Sequence, residues 1–171
     1  SVRQADGVNL NQNTGQTKHY GIEYQLKYNF SKLLQINFNG SNAKHLYVNT
    51  ILKGTDISNK EMVAAPRFFS NLTVLSQWNT ALSSSIEWQH QSGYYMDEIN
   101  ATRYNGFDVL NLRVNYSIKK HEFWFQCLNL TDQFYATMAT KNFSVRGNNA
   151  YAYYLGDNRT IALGWRWNLI P

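Results

Sequence analysis

The chain has 171 residues, 43% of them hydrophobic and 15% aromatic, with a formal net charge of +5. No run of 18 apolar residues occurs, which excludes a transmembrane helix, and the Lys and Arg residues are scattered, which speaks against nucleic acid as a partner. Cys127 is the only cysteine, so no disulfide forms within the chain.

Alternation with a period of two recurs along the chain and marks strands with one apolar face. It is clearest from His19 to Phe30, where Tyr20, Ile22, Tyr24, Leu26, Tyr28 and Phe30 share a face. Gly21, Glu23, Gln25, Lys27 and Asn29 take the other. A tight turn at Ser31-Lys32 leads to a second strand, Leu34 to about Val48, and then to a polar loop from about Asn49 to Ala65. A third strand covers roughly Arg67 to Gln77. After Trp78-Asn79-Thr80, a fourth sets Leu82, Ile86 and Trp88 against Ser83, Ser85, Glu87, Gln89 and Gln91. A second polar loop covers about Met96 to Asn105.

The fifth strand sets Leu110, Leu112, Val114, Tyr116 and Ile118 against Asn111, Arg113 and Asn115. Lys119-Lys120-His121 turns into a sixth, where Phe123, Phe125 and Cys127 alternate with Glu122, Trp124 and Gln126. A third loop is expected from roughly Met138 to Asp157. The seventh strand has Ile161, Leu163, Trp165 and Trp167 on one face and Thr160, Ala162, Gly164 and Arg166 on the other.

Connections alternate short and long, and several strands reach ten residues or more. Both features fit an outer-membrane barrel, with short periplasmic turns, long extracellular loops and strands of about 9–11 residues across the hydrocarbon. Tyr20, Tyr28, Phe30, Trp78, Tyr116 and Trp167 fall toward strand ends, where aromatic girdles sit. The expected fold is all-β: an antiparallel up-and-down transmembrane β-barrel, present in part as a curved meander sheet of about seven strands. A small eight-stranded barrel acting as adhesin or passive channel, and a soluble β-sandwich binding a carbohydrate or peptide, are the competing readings.

Asn129-Leu130-Thr131-Asp132-Gln133-Phe134-Tyr135 resembles the Asn-Leu-x-Asp-x-x-Tyr motif of a late strand in TonB-dependent outer-membrane receptors. Tyr153-Tyr154-Leu155-Gly156-Asp157-Asn158-Arg159 and the strand from Thr160 to Leu169 resemble that family's approach and closing strand. Gly106 to Arg113, and Asn13-Thr14-Gly15 with Gly21-Ile22-Glu23, resemble further family stretches. Gly164, Trp167 and Leu169 resemble the signal read by the barrel-assembly machinery, although the chain ends Leu169-Ile170-Pro171 and not on an aromatic residue.

The resemblance implies that residues 1–171 are the C-terminal portion of a receptor barrel of about 22 strands, without its plug domain. The start at Ser1, with neither Met nor a leader, is read the same way. It further implies import of a scarce ligand such as a ferric siderophore or cobalamin, and location in the bacterial outer membrane. The implied partners are outer-membrane lipid, the plug domain of the full-length protein, TonB and the assembly machinery.

No catalytic set emerges, so no enzyme and no cofactor are expected. His19, His45, His90 and His121 lack metal-ligand spacing, Ser83-Ser84-Ser85 lacks a Gly-x-Ser-x-Gly context, and Gly147 and Gly156 form no phosphate loop. Glu23, Lys27, Glu87, Gln89, Arg113, Trp124 and Arg166 are expected to face the lumen and a plug, since inward charges need partners or water. Tyr94, Tyr95, Asp97, Arg103 and Tyr104 are candidate ligand contacts at the extracellular mouth, by aromatic stacking and Arg pairing.

Overall fold

In the computed structural model, which describes residues 15–52, 54–141 and 150–169 and the backbone of two short strands near the start, all regular structure is β. The strands are β1 (Val2–Arg3), β2 (Asn9–Leu10), β3 (Gln16–Asn29), β4 (Leu34–Val48), β5 (Ile51–Leu52), β6 (Thr55–Asp56) and β7 (Phe68–Gln77). There follow β8 (Leu82–Tyr95), β9 (Arg103–Ile118), β10 (His121–Leu128), β11 (Ala136–Lys141), β12 (Tyr151–Leu155) and β13 (Thr160–Trp167). Seven of them form one antiparallel sheet in the order β13-β10-β9-β8-β7-β4-β3, an up-and-down meander. The expected fold class, a partial antiparallel barrel wall, is what the chain adopts.

The register explains why the alternation works as a sheet signal. Residues paired across antiparallel strands point to the same side. One rung therefore runs Tyr28–Ile36–Val74–Ile86–Leu112–Cys127–Ile161 across all seven strands. The rung beside it on the other face runs Lys27–Asn37–Thr73–Glu87–Asn111. Among the described strands the one contact to the sheet beyond its ladder pairs is that of β11 with β9, at the Tyr104 end. Ile22 is 67% exposed, Leu26 58% and Leu163 76%, values reserved in water-soluble folds for isolated surface residues. β9 runs to 16 residues, about 50 Å at roughly 3.3 Å per residue, so it outreaches a hydrocarbon layer of about 30 Å.

The short connections have local causes. In the 78–81 turn the Asn79 side-chain oxygen accepts from the backbone N–H of Ala81 at 2.8 Å and of Leu82 at 2.9 Å, an Asx turn. Lys119, at φ 52°, makes the two-residue turn between β9 and β10. The N–H of Phe30 donates to the Leu34 carbonyl at 3.0 Å to close the first turn.

The long connections depart from expectation. Instead of open polar loops, they are folded. Residues 49–65 contain the β5–β6 hairpin and then run back along the end of β4, with Tyr47 N–H donating to Lys60 O and Met62 N–H to His45 O. The expected loop from Met96 to Asn105 ends earlier, because β9 begins at Arg103. The expected loop from Met138 to Asp157 is largely a hairpin, β11 paired with β12. Tyr-rich and Thr-rich stretches suit strands, and the hairpin buries Ala136 and Ala139.

A cluster of deeply buried hydrophobic side chains lies in this loop layer. Ile57, Tyr94, Met96 and Ala139 are almost fully enclosed, with Ala64, Tyr104 and Tyr151 packed around Tyr94, Met96 and Ala139. The hydrophobic cluster of Tyr94, Met96 and Ala139 therefore sits at the loop end of the sheet.

On the polar face, Trp124 pairs with Gly164, and a Cβ at that glycine overlaps the indole ring. The Arg113 guanidinium lies 5.8 Å from the centre of the same ring. Gly164→Ala should displace the indole and destabilise the barrel by about 1–3 kcal/mol, measured by denaturant unfolding of the full-length protein. In the Trp124→Ala background the same substitution should cost much less. Equal costs in both backgrounds would show that the ring does not rest on the glycine.

Candidate functional site

The Asn129–Tyr135 segment continues β10 by folding over the polar face of β9. Asn129 takes φ 49° and Asp132 φ 54°, left-handed conformations that Asn and Asp adopt more readily than most residues. Asn129 is 2% exposed and its side chain is fully used. Its amide donates to Gln133 O at 2.9 Å and Asp157 O at 3.0 Å, and its oxygen accepts from the Gln133 N–H at 2.9 Å. Its backbone N–H donates to the Asn111 side-chain oxygen at 3.0 Å, and that of Leu130 to Leu110 O at 2.7 Å.

Asp132 closes the other end of the segment. Its carboxylate accepts from the Arg159 backbone N–H at 3.0 Å and guanidinium at 3.3 Å. The Tyr135 ring packs 4.7 Å from Phe107 and fills the space beside Gly156, whose N–H donates to Tyr135 O at 3.0 Å. Burial pushes the Tyr135 phenol above its ordinary value, with the Asp157 carboxylate adding to the shift, so the ring stays neutral at physiological pH. Asn129, Leu130, Asp132, Tyr135, Gly156 and Arg159 thus form a lock that fastens the entry of β13 to β10 and β9. The sequence motif named these six. Asn111, Phe107 and Asp157 lie inside the family-like stretches but are not singled out by them, because a contact made by a polar-face partner on the neighbouring strand leaves no local pattern.

The register places Glu23, Lys27, Glu87, Gln89, Arg113, Trp124 and Arg166 together on the polar face. Glu87 accepts from the Asn71 amide at 2.6 Å and the Asn111 amide at 3.3 Å. Arg166 pairs with Glu122 at 3.3 Å. Trp167, on the apolar face, stacks near His121 with centroids 6.3 Å apart, while Leu169 is exposed. Asn13, Thr14, Gly147 and the terminal Ile170 and Pro171 lie outside the described residues.

The five residues of the mouth cluster divide into two groups. Asp97, 2% exposed, accepts from the N–H of Ala101 at 2.9 Å and Thr102 at 2.8 Å. The Tyr94 hydroxyl accepts from Ala139 N–H at 2.6 Å, and the Tyr104 hydroxyl donates to Ala136 O at 2.8 Å. Tyr94 and Tyr104 spend their hydroxyls on docking the β11–β12 hairpin, whereas Asp97 closes its own loop and also accepts from the Tyr151 hydroxyl at 3.4 Å. Tyr95 and Arg103 instead pair side by side on the surface, the guanidinium 5.9 Å from the ring centre. Asn100 ties the layer to the first loop, donating to Glu61 O at 2.9 Å and accepting from Glu61 N–H at 2.8 Å.

A family model described as TonB dependent receptor-like, beta-barrel, matches residues 1–149. Three solved structures share the fold. The ferric yersiniabactin uptake receptor FyuA from Yersinia pestis has a TM-score of 0.75 at 18% identity, covering 92% of this chain and 24% of its own. The siderophore receptor PiuA from Acinetobacter baumannii gives 0.73 at 16% identity, covering 87% and 21%. The ferric-catecholate import receptor Fiu from E. coli K12, in its closed form, gives 0.68 at 19% identity, covering 95% and 22%. The chain thus spans about a quarter of the length of these structures. No curated protein matches it.

Asn129→Ala leaves the carbonyls of Gln133 and Asp157 and the N–H of Gln133 without their partner. We expect a loss of about 1–3 kcal/mol, read as faster amide exchange at Gln133 and as new proteolytic cleavage between residues 129 and 159. Exchange unchanged from the parent protein would show that the side chain is not what holds the segment.

Proposed function

Because this chain belongs to the TonB-dependent receptor β-barrel family, we propose that it forms a wall sector and three extracellular loops of an outer-membrane receptor that imports a scarce ligand. A ferric siderophore is the first ligand to test, with cobalamin the other member of the expected class. The observation that carries this reading is the apolar rung shared by all seven strands with no described strand packed over it. Apolar area of that extent is costly in water and favourable against lipid tails. A sheet whose backbone groups pair strand to strand meets the hydrocarbon without orphan donors, provided its two edges are paired too.

In this reading the apolar face touches outer-membrane lipid and the polar face lines the lumen. The turns at residues 30–33, 78–81 and 119–120 lie in the periplasm, and the packed loop layer lies outside the cell. Glu23, Lys27, Glu87, Gln89, Arg113, Trp124 and Arg166 face a plug domain carried elsewhere in the full-length protein. TonB acts on that plug and supplies the energy of the inner-membrane proton gradient. Gly164, Trp167 and Leu169 present the closing strand to the barrel-assembly machinery. Tyr95 and Arg103 are the ligand contacts of the mouth cluster, stacking on a flat ligand and pairing with its carboxylate or phenolate oxygens. The family is one of transporters and receptors, and this sector contributes recognition and enclosure, not catalysis.

Two measurements test this reading. Ile86→Lys places a charge in the apolar rung and should cost about 2–4 kcal/mol in vesicle-based unfolding of the full-length protein. Thr73→Lys, one rung over on the polar face, should cost far less. A reversed order overturns the lipid assignment. Cells whose only candidate receptor is the full-length protein should take up labelled ferric siderophore, and should stop when TonB is deleted. Uptake that survives that deletion points to a passive channel.

A further inference from the structure

His19 and His45 face each other across β3 and β4, one on each strand of the same rung. Their Nδ1 atoms lie 2.7 Å apart, with the rings 5.0 Å between centroids and inclined at 56°. His19 Nε2 lies 3.0 Å from the Thr17 hydroxyl. In the tautomer where Thr17 accepts, the Nδ1 lone pair of His19 is aimed at His45, and the hydroxyl fixes the ring as an outer partner fixes a ligating imidazole. The pair stands on the polar face near the loop end, and His19 is exposed. The next rung is Gly21–Ala43, which has almost no side-chain bulk, and the one beyond it is Glu23–Ser41.

We infer that this rung is a two-imidazole site for a divalent transition metal of the borderline class, with Cu2+ bound most tightly. Two nitrogens each about 2.0–2.1 Å from an ion and at right angles sit roughly 2.9 Å apart. The observed spacing is within a few tenths of an ångström of that bite, and each ring turns so that its lone pair swings from the partner nitrogen toward an ion held between the two. Neutral imidazole nitrogen selects copper, nickel and zinc over calcium and magnesium, and the Irving–Williams order puts Cu2+ first.

No group of three or more His, Cys, Asp or Glu side chains placed to hold a metal occurs among the described residues. Two rungs at about 6.7 Å each put Glu23 beyond the reach of the same ion. The remaining coordination positions are therefore open to water or to a ligand that arrives with the metal, over the small-residue shelf of Gly21 and Ala43. Residues 26 positions apart on two strands carry no ligand spacing, so this pair is visible only in the register. The site rests on ring geometry alone. Its access from the extracellular mouth rests on the receptor reading, so the test is of binding and not of uptake.

The full-length protein in detergent is titrated with Cu2+ and followed by electron paramagnetic resonance. One equivalent should show splitting from two nitrogens. His19→Gln and His45→Gln should each weaken that equivalent by at least about tenfold and reduce the splitting to one nitrogen. His90→Gln, whose ring pairs with Asp108 on the other face, should leave it unchanged. Assembly of each variant is checked by heat-dependent gel mobility, and if one does not assemble, the other alone decides. An unaltered two-nitrogen signal in an assembled His19 or His45 variant overturns the site, even if siderophore uptake is intact.

Discussion

The structure depends on register. With a side-chain period of two, a slip of one residue between any two of these strands exchanges the faces of everything beyond it. Seven strands keep their apolar sets aligned because each short turn fixes its hairpin. The Asx turn at Asn79 and the left-handed Lys119 set the offset of β7 against β8 and of β9 against β10. Rungs then propagate from hairpin to hairpin, and the apolar band is a consequence of turn chemistry as much as of strand composition. A two-layer protein corrects register errors through its core. Among the described residues no second sheet covers this one, so its turns and ladder hydrogen bonds carry much of the specification.

That absence accounts for what the loop end does. A one-layer sheet is tied only between neighbours, and its long connections are where non-neighbouring elements meet. Tyr94, Met96 and Ala139 bring β8, the second long connection and the β11–β12 hairpin together. The Asn129–Arg159 lock joins β9, β10 and β13 across the polar face. Both assemblies are built largely from side chains satisfying backbone groups, the form of polar burial that costs least because each donor meets an acceptor. The lock also sits where the chain crosses from the long hairpin into the last strand, the longest connection and the one whose closure costs most entropy.

Much of this was legible in the sequence, for reasons that also mark its limits. Strands β3, β4 and β8 were readable because one face is polar and the other apolar, so Tyr20 to Phe30 alternate without interruption. The boundaries drifted where the chain leaves that two-faced environment. β3 begins at Gln16 and β9 at Arg103, in stretches where both faces are polar and the period fades. The β11–β12 hairpin escapes the same reading, since its residues do not alternate between an apolar and a polar face: Tyr153, Tyr154 and Leu155 are exposed in succession. The five residues of the mouth cluster lie close together, but composition does not reveal which hydroxyl a backbone amide will claim. Tyr94 and Tyr95 are neighbours with opposite fates because alternation points one into the packed layer and the other away.

The same distinction bears on where recognition sits. A side chain already satisfied by its own backbone has little left to offer a ligand, and removing it from that role carries the full cost of the orphaned partner. Asp97, Tyr94 and Tyr104 are committed in this way, so their contribution to any ligand is to hold the mouth rigid, which lowers the ordering cost of binding. The groups that meet a ligand are those whose polar atoms face outward from a rigid support. Tyr95 with Arg103 meets that description at the loop layer, and His19 with His45 meets it on the polar wall nearby. Each pair is held by a strand register and not by a loop conformation, so each keeps its spacing without help from what it binds.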